Sequence, residues 1–259
     1  MGKGKVYIVG AGPGDAELIT IKGKRAIEEA DIIFYDRLVN KQLLTYAKQQ
    51  ATFIYAGKKP NYHAIKQDAL NELLVNHAKR GKVVTRLKGG DPFIYGRGGE
   101  EALVLAQHQI PFEIVPGITA GIAAPAYAGI PVTHRNVSNS FTVMTGHDEQ
   151  IEKMNWSQYA QSNHTLVIYM GMKNLQRIVE QLLLAGQNSN MPIAVIQWGT
   201  TDTQRTVSST LAHILSHPET KELSNPAIIV IGEVVRLQQH LQWFTTSQYE
   251  DPLLELHVK

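Results

Sequence analysis

Several short stretches of this chain hold residue types that could do chemistry. The first is Gly10-Ala11-Gly12-Pro13-Gly14-Asp15. A glycine turn after an apolar run either makes a tight turn or lets a ligand approach the backbone. The dinucleotide fingerprint places its glycines at the first, third and sixth positions. Here they fall at every second residue, and Pro13 removes an amide donor that a phosphate would use. Asp36 and Arg37 follow Asp31-Ile-Ile-Phe-Tyr35, which suits either a ligand site at a strand end or a surface ion pair. Gly57-Lys58-Lys59-Pro60-Asn61-Tyr62-His63 reads as a carboxylate-holding loop or as a solvated one.

The densest stretch is Arg86-Leu-Lys-Gly-Gly-Asp-Pro-Phe-Ile-Tyr-Gly-Arg-Gly-Gly-Glu-Glu101, with five glycines from Gly89 to Gly99. That is more glycine than turning needs, so the expectation is backbone exposed to a ligand. Asp91 is the type of group that accepts from a ribose hydroxyl or an amino group. Glu100 and Glu101 suit the first turn of a following helix. In Val115-Pro-Gly-Ile-Thr-Ala-Gly121, Thr119 is either a helix cap or a hydroxyl offered to a ligand. Later, Tyr169-Met170-Gly171-Met172 and Trp198-Gly199-Thr200-Thr201 each close an apolar run. The chain has no G-x-x-x-x-G-K-[ST] loop, no G-x-S-x-G elbow and no cysteine. His213 and His217 lack an acidic partner and precede Pro218, so no metal site is expected.

These stretches need elements to position them. Residues 5–9 and 31–35 read as buried strands, and 52–55, 82–87 and 112–115 continue the strand series. Helical periods separate them at 20–30 and 63–79, the latter closed by Gly81. Continuous apolar strands alternating with helices predict a mostly parallel α/β sheet covered on both faces. A second series at 141–145, 165–170, 193–197, 205–208 and 227–231 is spaced for a mixed sheet. Between them lies Leu175-x-x-Ile178-Val179-x-x-Leu182-Leu183, an apolar helical stripe ending at Gly186. The polar stretch Pro131–Asn139 is the candidate linker. The expected division is 1–135, 136–245 and a tail at 246–259.

The 259 residues suit two domains, and 43% hydrophobic with 19% charged is ordinary globular composition. A formal charge of +2 is too small to argue for nucleic acid or a membrane surface, and neither is expected as partner, though it leaves room for a local basic site for an acidic small molecule. Residues 114–132 carry no charge but are broken by three prolines and three glycines, so they read as loop, small-residue helix and loop. The absence of cysteine fits a reducing cytoplasm, and the first apolar run is too short for a signal peptide.

Val9–Asp15, Tyr35–Leu38, Arg86–Arg97, Val115–Ala120 and Tyr169–Gly171 together resemble the uroporphyrinogen-III C-methyltransferase family of the tetrapyrrole methylase fold. The resemblance implies two α/β domains with the active site in the cleft between them, and a homodimer. It implies S-adenosylmethionine as methyl donor, uroporphyrinogen III as acceptor, and precorrin-2 with S-adenosylhomocysteine as products. By matching position it assigns Pro13, Gly89, Gly90, Asp91, Ile94, Thr119, Ala120, Met170 and Gly199 to the donor, with Ala227 as a further contact. It makes Asp36 the proton acceptor and Lys58 the proton donor. Arg37, Lys59, Arg97, His134 and Arg135 lie in or beside the motifs and suit the acceptor's carboxylates. Some relatives carry an N-terminal dehydrogenase and ferrochelatase module. With Met1 a few residues before the first strand, such a module is not expected here.

Overall fold

The computed structural model describes residues 4–57, 66–147, 151–160 and 164–245. The chain forms two compact units, one running to Ala123 and the other from Ala124.

In the first unit β1 (Lys5–Gly10), β2 (Ile32–Tyr35), β3 (Thr52–Tyr55), β4 (Val83–Lys88) and β5 (Phe112–Val115) form a five-stranded sheet in the order β3-β2-β4-β1-β5. Every pairing is parallel. Parallel neighbours need crossovers, supplied here by helices on both faces. On one face Val6, Ile8, Ile32, Phe34 and Val84 pack with Leu70, Leu74 and Val75 of α2 (Gln67–Lys79) and with Ala102 and Leu105 of α3 (Gly98–Gln107). On the other, Val9, Ile33, Leu87 and Val115 pack with Ala26 and Ile27 of α1 (Ile21–Glu29). Each fully buried Leu, Ile or Phe contributes about 1.5–3 kcal/mol. Double-sided burial is why the inner strands β1, β2 and β4 read as near-continuous apolar runs, while the edge strand β3 keeps Thr52 and Phe53 exposed.

Local signals set the helix ends. Thr20 caps α1, its hydroxyl accepting from the Gly23 amide at 3.0 Å. The α2 helix stops at Gly81, which takes a left-handed φ of +79°. The strand edges are tied as well. At the start of β2 the Asp31 carboxylate accepts from Lys48 Nζ at 2.6 Å and from the Val83 amide at 2.8 Å. The Lys48 hydrogen bond first, then the Val83 amide, hold its pKa below the ordinary carboxylate value. A depressed folded pKa contributes stability that is present above the unfolded pKa, about 4, and is lost as pH falls through the folded one. Asp31→Asn is therefore expected to cost about 1 kcal/mol at pH 7. That difference should shrink as pH falls below the ordinary carboxylate value, as urea unfolding at pH 7 and at a series of acidic pH values would measure. A loss that does not change across that range would refute the electrostatic origin.

The second unit holds β6 (Phe141–Thr145), β7 (Thr165–Tyr169), β8 (Pro192–Gln197), β9 (Arg205–Thr210) and β10 (Ala227–Ile231) in the order β6-β7-β10-β8-β9. Only β6 and β7 are parallel; β10 runs antiparallel to both of its neighbours. The sheet is mixed, as the closely spaced strand series predicts. The helix Leu175–Leu184 buries Leu175, Ile178, Val179 and Leu182 and ends at Gly186, φ +91°. The uncharged stretch contains an eight-residue helix, α4 (Ala120–Tyr127), with Pro125 inside it. Among the described residues no helix is long and apolar enough to cross a membrane. Within the polar stretch, residues 134–138 form a closed turn. His134 donates to the Ser138 carbonyl at 2.7 Å, and Ser138 donates back at 2.9 Å.

Candidate active site

The parallel order brings the motifs of the first unit to one edge. In open α/β sheets ligands bind outside the carboxyl ends of the strands. Gly10–Asp15 leaves β1, Asp36-Arg37 leaves β2, Gly89–Asp91 leaves β4 and Pro116–Thr119 leaves β5. β4 lies between β2 and β1, so the Asp36 loop and the Gly12 loop flank the Gly90 loop.

Two of these loops are joined by backbone alone. Gly12 and Gly90 exchange hydrogen bonds at 3.2 and 2.7 Å, each with positive φ (+80° and +69°). Gly10 and Gly117 meet where the strand ends converge, and a Cβ on Gly10 would sit 2.6 Å from the Gly117 Cα and from the Gly90 carbonyl oxygen. Asp91 closes the arrangement. Its Oδ1 accepts from the Phe93 amide at 2.8 Å and its Oδ2 from the Gly117 amide at 3.0 Å. Each oxygen thus holds a loop amide, and the second lone pairs are what remain for a ligand.

This revises the expected use of the glycines. A Cβ on Gly96 or Gly98 would meet the Pro92 carbonyl oxygen, at 2.7 and 2.6 Å. Those two glycines let the chain wind around Pro92, while Gly10 and Gly117 let strand ends touch. Of the five glycines from Gly89 to Gly99, only Gly90 and Gly99 leave room. A Cβ on Gly90 would have Ala120 N at 3.8 Å as its nearest neighbour, and one on Gly99 would meet nothing within 4 Å. On the same loop Phe93, Ile94 and Tyr95 are all exposed. Three consecutive exposed apolar side chains on one loop form a contact surface rather than a core. Tyr95 and Arg97 hold left-handed backbone (φ +53° and +59°), conformations that persist where surroundings dictate them.

The charged residues divide into two sets. Arg37, His134 and Arg135 are exposed. Arg97 is half-exposed and forks onto Glu100, with Nη2–Oε2 at 2.6 Å and Nε–Oε1 at 3.0 Å. Lys58 and Lys59 lie outside the described residues. Asp36 is different. Its side chain is 29% exposed, and its Oδ1 meets Nη2 of the buried Arg86 at 2.7 Å. Lys88 Nζ stands 3.9 Å from Asp36 Oδ2 and 2.9 Å from Glu101 Oε1. Burial first, then the neighbouring Arg86 charge, push the Lys88 pKa down; the Glu101 and Asp36 carboxylates oppose that. Arg86, Lys88 and Glu101 were not among the expected site residues. Glu101 stands in the first turn of α3, as its place after the glycines predicts, and its side chain is fully buried. A signal was present. Arg86 and Lys88 interrupt an otherwise apolar strand at alternate positions, so both point to one covered face.

In the second unit Met170 and Gly199 follow β7 and β8, and Ala227 begins β10. Because β10 is antiparallel to both, its start lies beside their ends: Ile228 is opposite Tyr169, and Ala227 is opposite Gln197. The three expected donor contacts therefore share one edge of this sheet. Met170, Trp198 and Thr200 there all hold positive φ (+55°, +49° and +70°). Gly199 has a packing reason of its own, since a Cβ would collide with the Ala124 side chain. Among the described residues no group of three or more His, Asp or Glu side chains could hold a metal ion.

A parallel sheet whose carboxyl edge carries paired glycine loops, an apolar rim and a half-buried carboxylate defines a small-molecule site of the α/β-enzyme class. Comparison with known proteins places it further. Residues 5–215 match the model of the tetrapyrrole (corrin/porphyrin) methylases, and the chain belongs to that family. It is 58% identical over 234 residues to a uroporphyrinogen-III C-methyltransferase of Priestia megaterium, covering 90% of this chain and 98% of that one. A Thermus thermophilus uroporphyrin-III C-methyltransferase, solved with S-adenosylhomocysteine, is 37% identical with a TM-score of 0.77 over 90% of this chain and all of that one. A cobalt precorrin-4 methyltransferase is 25% identical with a TM-score of 0.80 over 89% of this chain and 95% of that one. Similarity of fold is as high to that sibling, so the sequence, not the fold, separates the two.

Proposed function

We propose that this protein transfers methyl groups from S-adenosylmethionine to carbons 2 and 7 of uroporphyrinogen III, giving precorrin-2 and S-adenosylhomocysteine. The observation that carries the reading is the gathering of Asp36 with the Gly12, Gly90 and Gly117 loops on one sheet edge. Extensive identity to enzymes of that name supports the choice of acceptor.

The site suits the donor. Pro13 offers no amide, and a sulfonium nucleoside carries no phosphate that would need one. The open face of Gly90 beside Thr119 and Ala120, with exposed Ile94, suits an adenosine with backbone contacts. Gly89, Asp91 and Pro13 complete this set, and Met170, Gly199 and Ala227 are assigned to the same ligand by resemblance. When bound, S-adenosylmethionine supplies an electrophilic methyl group.

The chain's own part is alignment and proton removal. Holding donor and acceptor in line supplies most of such an acceleration. When a pyrrole carbon gains a methyl group the product must lose a proton, and the Asp36 carboxylate takes it. Lys58 would return a proton. Arg37, Lys59, Arg97, His134 and Arg135 offer charge to the acceptor's carboxylates.

Anaerobic incubation with uroporphyrinogen III and S-adenosylmethionine tests the reading. The expected product has two hydrogens replaced by methyl groups, accompanied by S-adenosylhomocysteine. Methylation confined to an already methylated corrinoid precursor would assign the chain to the sibling activity instead.

A further inference from the structure

Buried ionised side chains come paired or not at all. In the first unit four charged groups meet between α3 and the end of β2. Glu101 lies on the first turn of α3 and is turned inward with Ala102 and Leu105, its side chain 0% exposed. Arg86 and Lys88 leave β4 two residues apart on the same face and are 4% and 3% exposed. Glu101 Oε1 accepts from Lys88 Nζ at 2.9 Å, from Arg86 Nε at 3.1 Å and from Gln67 Nε2 at 3.2 Å. Gln67 also donates to Asn71 at 3.0 Å. Glu101 Oε2 finds no hydrogen-bond partner among the described residues.

Both cations face Asp36 on their other side, Arg86 at 2.7 Å and Lys88 at 3.9 Å. A guanidinium is a rigid planar fork. With its Nε held by Glu101, the direction of its Nη2 is set, and with it the position of the Asp36 carboxylate. The charge balance is set in the same way, since two anions share two cations. A simple stabilising pair would engage both oxygens of a buried carboxylate; among the described residues one oxygen here takes three donors and the other none, an arrangement that calls for an explanation beyond stability.

We propose that Glu101 is a positioning residue that acts through Arg86 and Lys88 to aim the Asp36 carboxylate and to keep it from balancing both cations alone. The inference rests on Asp36 being the proton acceptor. Glu101→Gln retains the shape and removes the charge. The two cations then draw on Asp36 alone, pulling its Oδ2 toward Lys88 and away from the position it holds now.

A double-mutant cycle with Glu101→Gln and Asp36→Asn tests this. The readouts are kcat and KM for uroporphyrinogen III, calorimetric affinity for S-adenosylhomocysteine, and a crystal structure of Glu101→Gln. The expected result is a fall in kcat of about tenfold, with KM and cofactor affinity within about twofold. Adding Glu101→Gln to Asp36→Asn should then cost almost nothing more. A kcat close to wild type, or losses that multiply in the double variant, would overturn the proposal. Should Glu101→Gln not fold, Glu101→Asp keeps the charge on a shorter stem, and a kcat loss with unchanged KM is expected there too; an unchanged kcat would count against it. If the wild-type protein binds S-adenosylhomocysteine but methylates no uroporphyrinogen III, the functional reading fails separately. The crystal structure (of Glu101→Gln or, failing that, Glu101→Asp) still decides the positioning role: an Asp36 carboxylate left in place refutes it.

Discussion

Replacing Asp36 with alanine is expected to lower turnover by about 10²- to 10⁴-fold, the usual contribution of a positioned general base. Affinity for S-adenosylhomocysteine should stay nearly intact. Asp36 stands on the loop after β2, whereas the open backbone at Gly90 follows β4 and faces Ala120. Loss of the carboxylate leaves Arg86 with Glu101 as its remaining ion-pair partner among the described residues, so some loss of stability accompanies the change. Two measurements separate the effects. Calorimetric cofactor binding reports whether the site is intact, and single-turnover kinetics report the chemical step. Undiminished single-turnover rates would remove Asp36 from the mechanism.

The second large effect is expected from a single methyl group. In Gly117→Ala the new Cβ falls on the Gly90 carbonyl oxygen and lies 2.7 Å from the Gly10 Cα. Both obstacles are backbone at strand ends, so neither can yield by changing rotamer. Overpacking of this kind costs about 3 kcal/mol. It also moves the Gly117 amide away from Asp91 Oδ2, so cofactor affinity should fall with stability. Gly99→Ala is the control. Its Cβ meets nothing, and alanine inside α3 is favoured over glycine by up to about 1 kcal/mol. Urea denaturation of the two variants should therefore shift in opposite directions. A Gly117→Ala protein as stable as wild type would show that the convergence of the three strand ends is looser than described.

Much of the fold is legible in the chain because its signals are local. Strand β3 and helix α1 follow from apolar runs and a Thr cap that act over a few residues. The mixed character of the second sheet is legible from strand spacing. The site is legible in outline for a similar reason: glycines, Asp91 and Asp36 stand at strand ends, and a parallel α/β sheet gathers strand ends on one edge. What each residue does there is less legible. Asp91 reads as a ligand for a sugar or an amine, yet its oxygens hold the Phe93 and Gly117 amides, the latter 26 residues away.

The sequence by itself determined the strand and helix runs, the glycine turns, the absence of a phosphate-type loop and the family motifs, because each depends on residue identity over short spans. Only the tertiary structure decided which glycines serve packing and which leave an opening. It alone placed Arg86, Lys88 and Glu101 behind Asp36. Glu101 lies 65 residues from Asp36 in the chain and shares two cations with it through space. The physical reason is strand order. β4 enters the sheet between β2 and β1, so its charged face meets α3 on one side and the end of β2 on the other. No local pattern in the chain encodes that neighbourhood.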